Sequence, residues 1–234
     1  MQHGSAPTSL IARAAEQLET KVPMRVARVT VDLLRPVPLS ELEIDAQVVR
    51  EGRKIQVCSV RLLSEGVEVV RASVLKIRTA DLGLPADIPH QALDLPLPEE
   101  GRAPERLSGP AESFGRSLDI RVVKGSFGQS GPGAAWFRLT RPMVAGEDIN
   151  PLIRAAAVAD FCNGISAAVD RDRWTFINGD LSFNLFRYPV GEWILLDAET
   201  WVGPDGLATA FGRMADRTGY FGRSIQSILI QPVG

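Results

Sequence analysis

The sequence is poor in cysteine and histidine, which excludes several kinds of site. Its two cysteines, Cys58 and Cys162, are too few for a disulfide framework and favour the reducing cytoplasm as the location. Its two histidines, His3 and His90, form no cluster with the cysteines, so no metal is expected. A Ser-His-Asp triad would need one of these histidines, and no G-x-S-x-G motif accompanies them.

Long apolar runs, basic runs and nucleotide-binding motifs are also missing. No apolar run reaches the roughly 18 residues that cross a bilayer, and the N-terminal MQHGSAPTS lacks the features of a signal peptide, so no membrane partner is expected. No run of Lys or Arg occurs and the formal net charge is -2, which argues against a nucleic-acid partner. Without a G-x-G-x-x-G motif or a P-loop, no cofactor is expected.

What the 234 residues do contain is an internal repeat. Residues 29–45 read VTVDLLRPVPLSELEID, and residues 181–197 read LSFNLFRYPVGEWILLD. At a constant offset of 152 residues, Arg35 matches Arg187 and Asp45 matches Asp197. Each copy is an alternating strand that stops at a proline and resumes as a second strand.

A helix is predicted ahead of the strands in each half. In the first half Ser5 can cap the helix and Pro7 fits its first turn; in the second, Asp148 or Asn150 can cap it and Pro151 lies near its first position. The apolar positions of the first helix are Leu10, Ile11, Ala14, Ala15 and Leu18. Those of the second are Ile153, Ala157, Phe161, Ile165 and Ala168.

The halves are separated by a proline-rich segment, which sets the predicted domains. Six prolines between residues 79 and 112 argue against regular structure and predict a linker. Two strands, 117–123 and 135–140, then precede the second helix and four further strands, whereas the first half has no room for two opening strands before its helix. We therefore expect an N-terminal domain over 1–78, a linker over 79–112 and a C-terminal domain over 113–234.

This element order predicts an α+β fold. A long apolar helix wrapped by an antiparallel sheet of this strand order is the hotdog arrangement, and two copies make a double hotdog. The expectation is two antiparallel sheets, each wrapping a long central helix.

Asp160 is the most informative polar residue, because it falls inside the apolar stripe of the second helix. A carboxylate there is costly unless it is hydrogen-bonded or used in chemistry. It is either a general base or, if the stripe is rotated by one position, a residue of the helix surface.

Two amide residues are further candidates. Gln226 shares a strand face with Ile228 and Ile230, and its repeat equivalent is Val74, so a polar residue replaces an apolar one in one half only. Asn178 opens the strand NGDLSFNLF; strict alternation turns it away from the helix, whereas a bulge at Gly179 would turn it inward. Ordinary solvated positions remain the alternative for both.

Several segments together resemble the acyl-CoA thioesterase II (TesB-like) family. They are ADFCNG, NGDLSFNLFRYPVGEW and GRSIQS in the second half, and HGSAP, VTVDLLRPVP, VVREGR and RASV in the first. In that family a helix Asp, a Thr or other small polar residue on the next strand, and a Gln on the last strand activate a water. Asp160 and Gln226 match the first and third, and Asn178 replaces the second. Gly4 and Ser5 resemble the family's H-G-G segment and are candidates for binding the oxyanion.

The resemblance implies hydrolysis of acyl-CoA to free acid and CoA by Asp-activated water. The alternative is a hotdog protein that binds an acyl ligand without turnover or serves as a structural subunit. A hotdog hydratase would carry an Asp five residues before a His, and Pro85 holds that position before His90. By analogy with the family, a homodimer or larger homo-oligomer is expected. The acyl chain length stays open.

Overall fold

The structure, a computed structural model, describes residues 1–105 and 113–233. The helices are α1 (Ser5–Gln17), α2 (Pro151–Ala159) and α3 (Cys162–Ile165). The strands are β1 (Met24–Leu33), β2 (Glu43–Arg50), β3 (Ile55–Ser64), β4 (Val67–Arg78), β5 (Leu118–Lys124), β6 (Gly133–Leu139), β7 (Trp174–Asn178), β8 (Asp180–Leu185), β9 (Ile194–Val202), β10 (Leu207–Asp216) and β11 (Gly219–Pro232).

Within the described ranges the strands form one continuous antiparallel sheet. Its order is β2-β3-β4-β1-β8-β11-β10-β9-β6-β5, and β7 pairs with β11 beside this path. The expectation of two sheets was therefore wrong. The two halves join because β1 pairs with β8, with Val29 opposite Phe183 and Asp32 opposite Asp180.

The repeat appears in the strand boundaries at the offset seen in the sequence. Strands β3 and β10 end at Ser64 and Asp216, and strands β4 and β11 begin at Val67 and Gly219. The order β2-β3-β4-β1 is mirrored by β9-β10-β11-β8, while β6 and β5 extend the second half beyond β9. Among the described residues nothing pairs with the outer edge of β2, the position that two opening strands would occupy.

The expected long central helix of the second half is broken. α2 ends at Ala159, and α3 begins at Cys162 after a turn in which the Phe161 N–H bonds to the Val158 carbonyl at 3.0 Å. This i-to-i-3 bond is tighter than that of an α-helix and interrupts the regular ladder. Every residue of α2 from Ala155 to Ala159 is buried, so this helix lies inside the core rather than presenting a stripe.

The beginnings of α1 and α2 are set by local chemistry. The Asn150 side chain accepts a hydrogen bond from the Ile153 N–H at 2.8 Å, so Asn150 rather than Asp148 caps α2, and Pro151 occupies its first position. In α1 the capping position belongs to Gly4, and Ser5 is the first helical residue. This places the Gly4 backbone at the open end of α1.

Residues 93–98 of the proline-rich segment pack on the face of the sheet away from the helices, whereas residues 79–92 are exposed. Leu93 and Leu95 contact a small apolar cluster that includes Trp136 and Tyr220. The Trp136 indole N–H donates to the Pro96 carbonyl at 2.8 Å, which satisfies the polar atom of this buried ring. The end of the expected linker, 106–112, lies outside the described residues. No helix in the described ranges combines the length and apolar character needed to cross a membrane.

Candidate active site

Asp160 lies at the break between α2 and α3, where its side chain is 5% exposed. It is the C-cap residue of α2, so the negative end of that helix dipole disfavours its charge. The first residues of α1 approach it from the other half, and their partial positive charge opposes that effect. Asp160 is therefore an enclosed carboxylate between two helix ends, not a residue of the helix surface.

Two amide side chains converge on one oxygen of this carboxylate. The Asn178 Nδ2 donates to Asp160 Oδ1 at 2.9 Å, and the Gln226 Nε2 donates to the same atom at 2.8 Å. The structure thus brings together the three polar residues that the sequence singled out. Gln226 is fully buried in β11, and its Oε1 accepts the Asn163 backbone N–H at 3.3 Å.

Asn178 reaches Asp160 because the strand is interrupted directly after it, at Gly179. β7 ends at Asn178 and β8 begins at Asp180, with Gly179 between them. Both strands pair with β11, but in different registers: Asn178 lies opposite Ile228, whereas Ser182 lies opposite Ile225. Strict alternation, which turned Asn178 outward, was therefore wrong, and the irregularity at Gly179 accounts for the inward side chain.

The second oxygen of Asp160 faces the N-terminal segment of the chain. His3 Nδ1 lies 3.0 Å from Asp160 Oδ2. The imidazole stacks against both Phe161 and Phe114, with ring centroids 4.7 and 5.4 Å away, and the two phenyl centroids lie 6.3 Å apart. Gly4 is so close that a Cβ built on it would lie 2.7 Å from Asp160 Oδ2. Only a glycine lets the backbone approach the carboxylate in this way.

His3 Nδ1 has competing hydrogen-bond partners. Besides Asp160 Oδ2, it lies 3.0 Å from Ser5 Oγ and 3.2 Å from the Ser5 backbone N–H. It must carry a hydrogen to donate to the carboxylate and must lack one to accept from Ser5. A proton on this nitrogen thus switches it from an acceptor for Ser5 to a donor for Asp160.

The two candidate oxyanion residues differ in what their backbones can offer. The Ser5 N–H points at the His3 ring, whereas Gly4 donates no backbone hydrogen bond to any residue of 1–105 or 113–233. The Gly4 N–H at the start of α1 is therefore the donor left for a ligand.

Asp160 and Asn178 open onto a cleft of about 570 Å³ between the two halves. The first half contributes Met1 to Gly4 and the segment from Leu33 to Val37, and the second contributes Asn163, Gly164, Arg171 and Phe176. A cleft of this size accommodates part of an extended small-molecule substrate.

Both halves of the chain match models of one family. Residues 1–77 match the acyl-CoA thioesterase N-terminal domain, and residues 89–230 match the acyl-CoA thioesterase C-terminal domain. The chain belongs to the acyl-CoA thioesterase family. It is a thioester hydrolase. No curated protein sequence matches it.

Solved structures establish the fold of this thioesterase. The acyl-CoA thioesterase II TesB2 from Mycobacterium marinum matches with a TM-score of 0.72 and 16% identity, over 98% of this chain and 88% of that one. The tesB protein from Mycobacterium avium subsp. paratuberculosis matches with a TM-score of 0.68 and 17% identity, over 99% and 88%. A conserved protein with hot dog fold from Alicyclobacillus acidocaldarius matches with a TM-score of 0.73 and 14% identity, over 98% and 86%. The fold is a hotdog fold, mostly antiparallel sheet with short helices.

The thioesterase has a thiol beside Asp160 that is unsuited to nucleophilic attack. Cys162 is completely buried, and this burial raises the pKa of its thiol to about 12, although Ser224 Oγ lies 2.9 Å from the sulfur. A protonated, inaccessible thiol is a packing group. In the described ranges no group of three His, Cys, Asp or Glu side chains could hold a metal.

Sequence reasoning missed one member of this constellation, His3. It appeared only as a histidine without catalytic partners, since nothing local joins it to Asp160, far along the chain. The signal that could have found it is its position directly before Gly4 and Ser5, which were already candidates for binding the oxyanion.

Proposed function

We propose that the chain is a double hotdog that hydrolyses acyl-CoA to free acid and CoA, with water activated by Asp160. The observation that carries this is the double hydrogen bond from Asn178 and Gln226 to Asp160 Oδ1. Two amide donors fix the orientation of the carboxylate. Oδ2, which faces His3 and Gly4, is left to take a proton.

The reaction proceeds in two steps. A water, held by Asp160 and by the free hydrogen-bonding groups of the Asn178 amide, attacks the thioester carbonyl while its proton passes to Asp160. The Gly4 N–H, at the positive end of α1, stabilises the tetrahedral oxyanion. The C–S bond then breaks, and the departing sulfur takes the proton from Asp160, which regenerates the carboxylate.

The test is the release of free CoA thiol from short, medium and long acyl-CoAs. We expect Asp160→Asn to lower kcat by about 100- to 10 000-fold, the range for loss of a general base. Asp87→Asn, which alters an exposed carboxylate in the linker, is the matched control and should retain wild-type rates. A variant whose circular dichroism spectrum and Tm equal those of the wild type is folded, so its kinetics can be compared directly.

Two outcomes contradict parts of this proposal. Wild-type turnover by Asp160→Asn removes the base from the mechanism. If the wild type hydrolyses no acyl-CoA, the alternative is an acyl-ligand binding or structural hotdog protein, and calorimetry with CoA then distinguishes binding from a structural role.

We also propose that the thioesterase forms a homodimer or larger homo-oligomer in the cytoplasm, where its two free cysteines stay reduced. An exposed apolar row crosses β10, β11 and β7, where Leu207 lies opposite Leu229 and Leu229 opposite Ile177, and Trp201 on β9 is 64% exposed. A contiguous patch of this kind is typical of an interface. Light scattering after gel filtration should give a multimer for the wild type and a smaller species for Leu207→Glu; a monomeric wild type rejects the proposal.

A further inference from the structure

Arg35 and Arg187 occupy equivalent backbone positions in the two halves. The Leu34 N–H bonds to the Val69 carbonyl at 3.1 Å, and the Phe186 N–H bonds to the Phe221 carbonyl at 3.1 Å. These four residues are related by the same offset as the strands, and each arginine directly follows the donor. The two arginines therefore leave the sheet from matching places.

The Arg187 guanidinium is held by hydrogen bonds to residues at the β10–β11 turn. Its guanidinium bonds to both carboxylate oxygens of Asp216, at 2.5 and 3.0 Å, and to Thr218 Oγ1 at 3.1 Å. It also donates to the Gly219 carbonyl at 2.8 Å. This paired arginine has a structural role, because its charge and most of its donors are already used.

The side chains that hold Arg187 have no counterparts around Arg35. At the repeat offset, Ser64 stands in place of Asp216 and Gly66 in place of Thr218. Arg35 is exposed, and its side chain makes no hydrogen bond or ion pair with any residue of 1–105 or 113–233. A guanidinium keeps its positive charge at every physiological pH, so Arg35 offers a free cation with donors in a fork.

This free cation lines the cleft that contains Asp160. Arg171 lines it as well; its Nε is buried and has no partner within the described residues. Asp160 is the one acidic residue among the described lining, and its Oδ1 is already engaged by Asn178 and Gln226. The cleft is therefore cationic away from the base.

We propose that Arg35 binds an anionic group of the thioester substrate, either a phosphate of CoA or a carboxylate carried by the acyl chain. The proposal rests on the proposed function and names a substrate-binding residue of that site. A guanidinium fork matches both phosphate and carboxylate oxygens. Arg35 is available for such an anion because Ser64, which stands in place of Asp216, offers it no carboxylate.

The test compares Arg35→Gln with Arg50→Gln, which removes an exposed arginine on β2 outside the cleft. Three thioesters separate the sources of the anion: an acyl-CoA, the same acyl group on N-acetylcysteamine, and an ω-carboxyacyl group on N-acetylcysteamine. We expect Arg35→Gln to lower kcat/KM about 10- to 100-fold, mainly through KM, on the thioester that carries the bound anion. Added salt should weaken wild-type binding of that thioester more than binding by the variant.

Loss confined to the acyl-CoA identifies phosphate as the ligand, and loss confined to the ω-carboxyacyl thioester identifies the acyl carboxylate. The proposal is overturned if Arg35→Gln stays within about twofold of Arg50→Gln on all three substrates. Ser64→Asp gives a second test, because it restores the carboxylate of the other half. It should capture Arg35 and reproduce the KM increase of Arg35→Gln while raising Tm.

Failure of the proposed function is distinguishable from failure of this inference. If the wild type turns over no thioester, calorimetry with CoA and with glutarate measures directly how much Arg35 contributes to anion binding. Binding of either that is weakened about 10-fold by Arg35→Gln supports Arg35 without catalysis. Equal binding by the wild type and the variant overturns it.

Discussion

Ser182 Oγ donates a hydrogen bond of 2.7 Å to Thr30 Oγ1, and these two residues are equivalents in the repeat. They face each other directly across the β1–β8 pair that joins the halves of the sheet. Equivalent residues meet each other only on an axis of two-fold symmetry. The chain thus holds in one molecule the kind of symmetric contact that two identical subunits make.

The active site does not share this symmetry. Asp160, Asn178 and Gln226 come from the second half, while His3 and Gly4 come from the first. Val74 holds the position equivalent to Gln226 and is buried, so the first half has an apolar residue there. One half alone therefore lacks part of the constellation, and the joined sheet is what completes it.

Replacement of His3 separates its hydrogen bond from its stacking. His3→Phe keeps a flat ring against Phe114 and Phe161 but removes Nδ1, whereas His3→Ala removes both the ring and Nδ1. We expect kcat to fall about tenfold in both variants, because Asp160 Oδ2 loses its partner, and KM to rise only in His3→Ala. Steady-state kinetics on one acyl-CoA measures this split; a wild-type kcat for His3→Phe would show that Nδ1 is not needed.

Gly4→Ala should displace the catalytic carboxylate. The added Cβ would lie 2.7 Å from Asp160 Oδ2, so either the helix start or the carboxylate must move. We expect at least a tenfold loss of kcat and a stability loss of about 1–3 kcal/mol, the usual cost of overpacking. Gly115→Ala is the control, since no atom of residues 1–105 or 113–233 other than its chain neighbours lies within 4 Å of its added Cβ. Equal kinetics for the two variants would contradict the close approach.

Gln226→Ala leaves Asp160 Oδ1 with one amide donor and leaves the Asn163 N–H without its acceptor. Because these groups are enclosed, we expect the free energy of unfolding to fall by about 1–3 kcal/mol, together with kcat. Urea unfolding measures the first quantity. Gln231→Ala, on the same strand but exposed, should change neither; if it matched Gln226→Ala, the effect would belong to the strand and not to the bond.

Asp216 should make the protein sensitive to acid. Burial acts to raise the pKa of its carboxyl, but the Arg187 guanidinium, the Thr218 hydroxyl and two backbone N–H groups outweigh it and hold the pKa below the ordinary 3.8. Stability from this group is thus present above about pH 4 and is lost as the pH falls through the lowered value.

Asp216→Asn tests this sign. We expect it to cost about 3 kcal/mol near neutral pH, because Arg187 loses its carboxylate, and the difference from the wild type to shrink as the pH falls below about 4. Unfolding by urea at a series of pH values measures the difference. A gap that stays constant with pH would mean that the carboxylate does not titrate with folding.

The sequence alone predicted the features that depend on local patterns. Alternating side chains marked the strands, Pro151 with a cap at Asp148 or Asn150 marked the start of α2, and the repeat offset located Gln226 against Val74. Asp160 stood out because an ionised group in an apolar helix needs a partner, whatever that partner is. These inferences need only neighbouring residues or a comparison of the two halves.

The tertiary structure decided what depends on contacts between distant segments. The pairing of β1 with β8 turned two expected sheets into one, and the contacts of Asp160 lie at a break in an expected long helix. The irregularity at Gly179 turned Asn178 inward, and the packing of the halves placed His3 beside Asp160. No local pattern contains this information, because hydrogen bonds between residues far apart in sequence are fixed only when the whole sheet closes around its core.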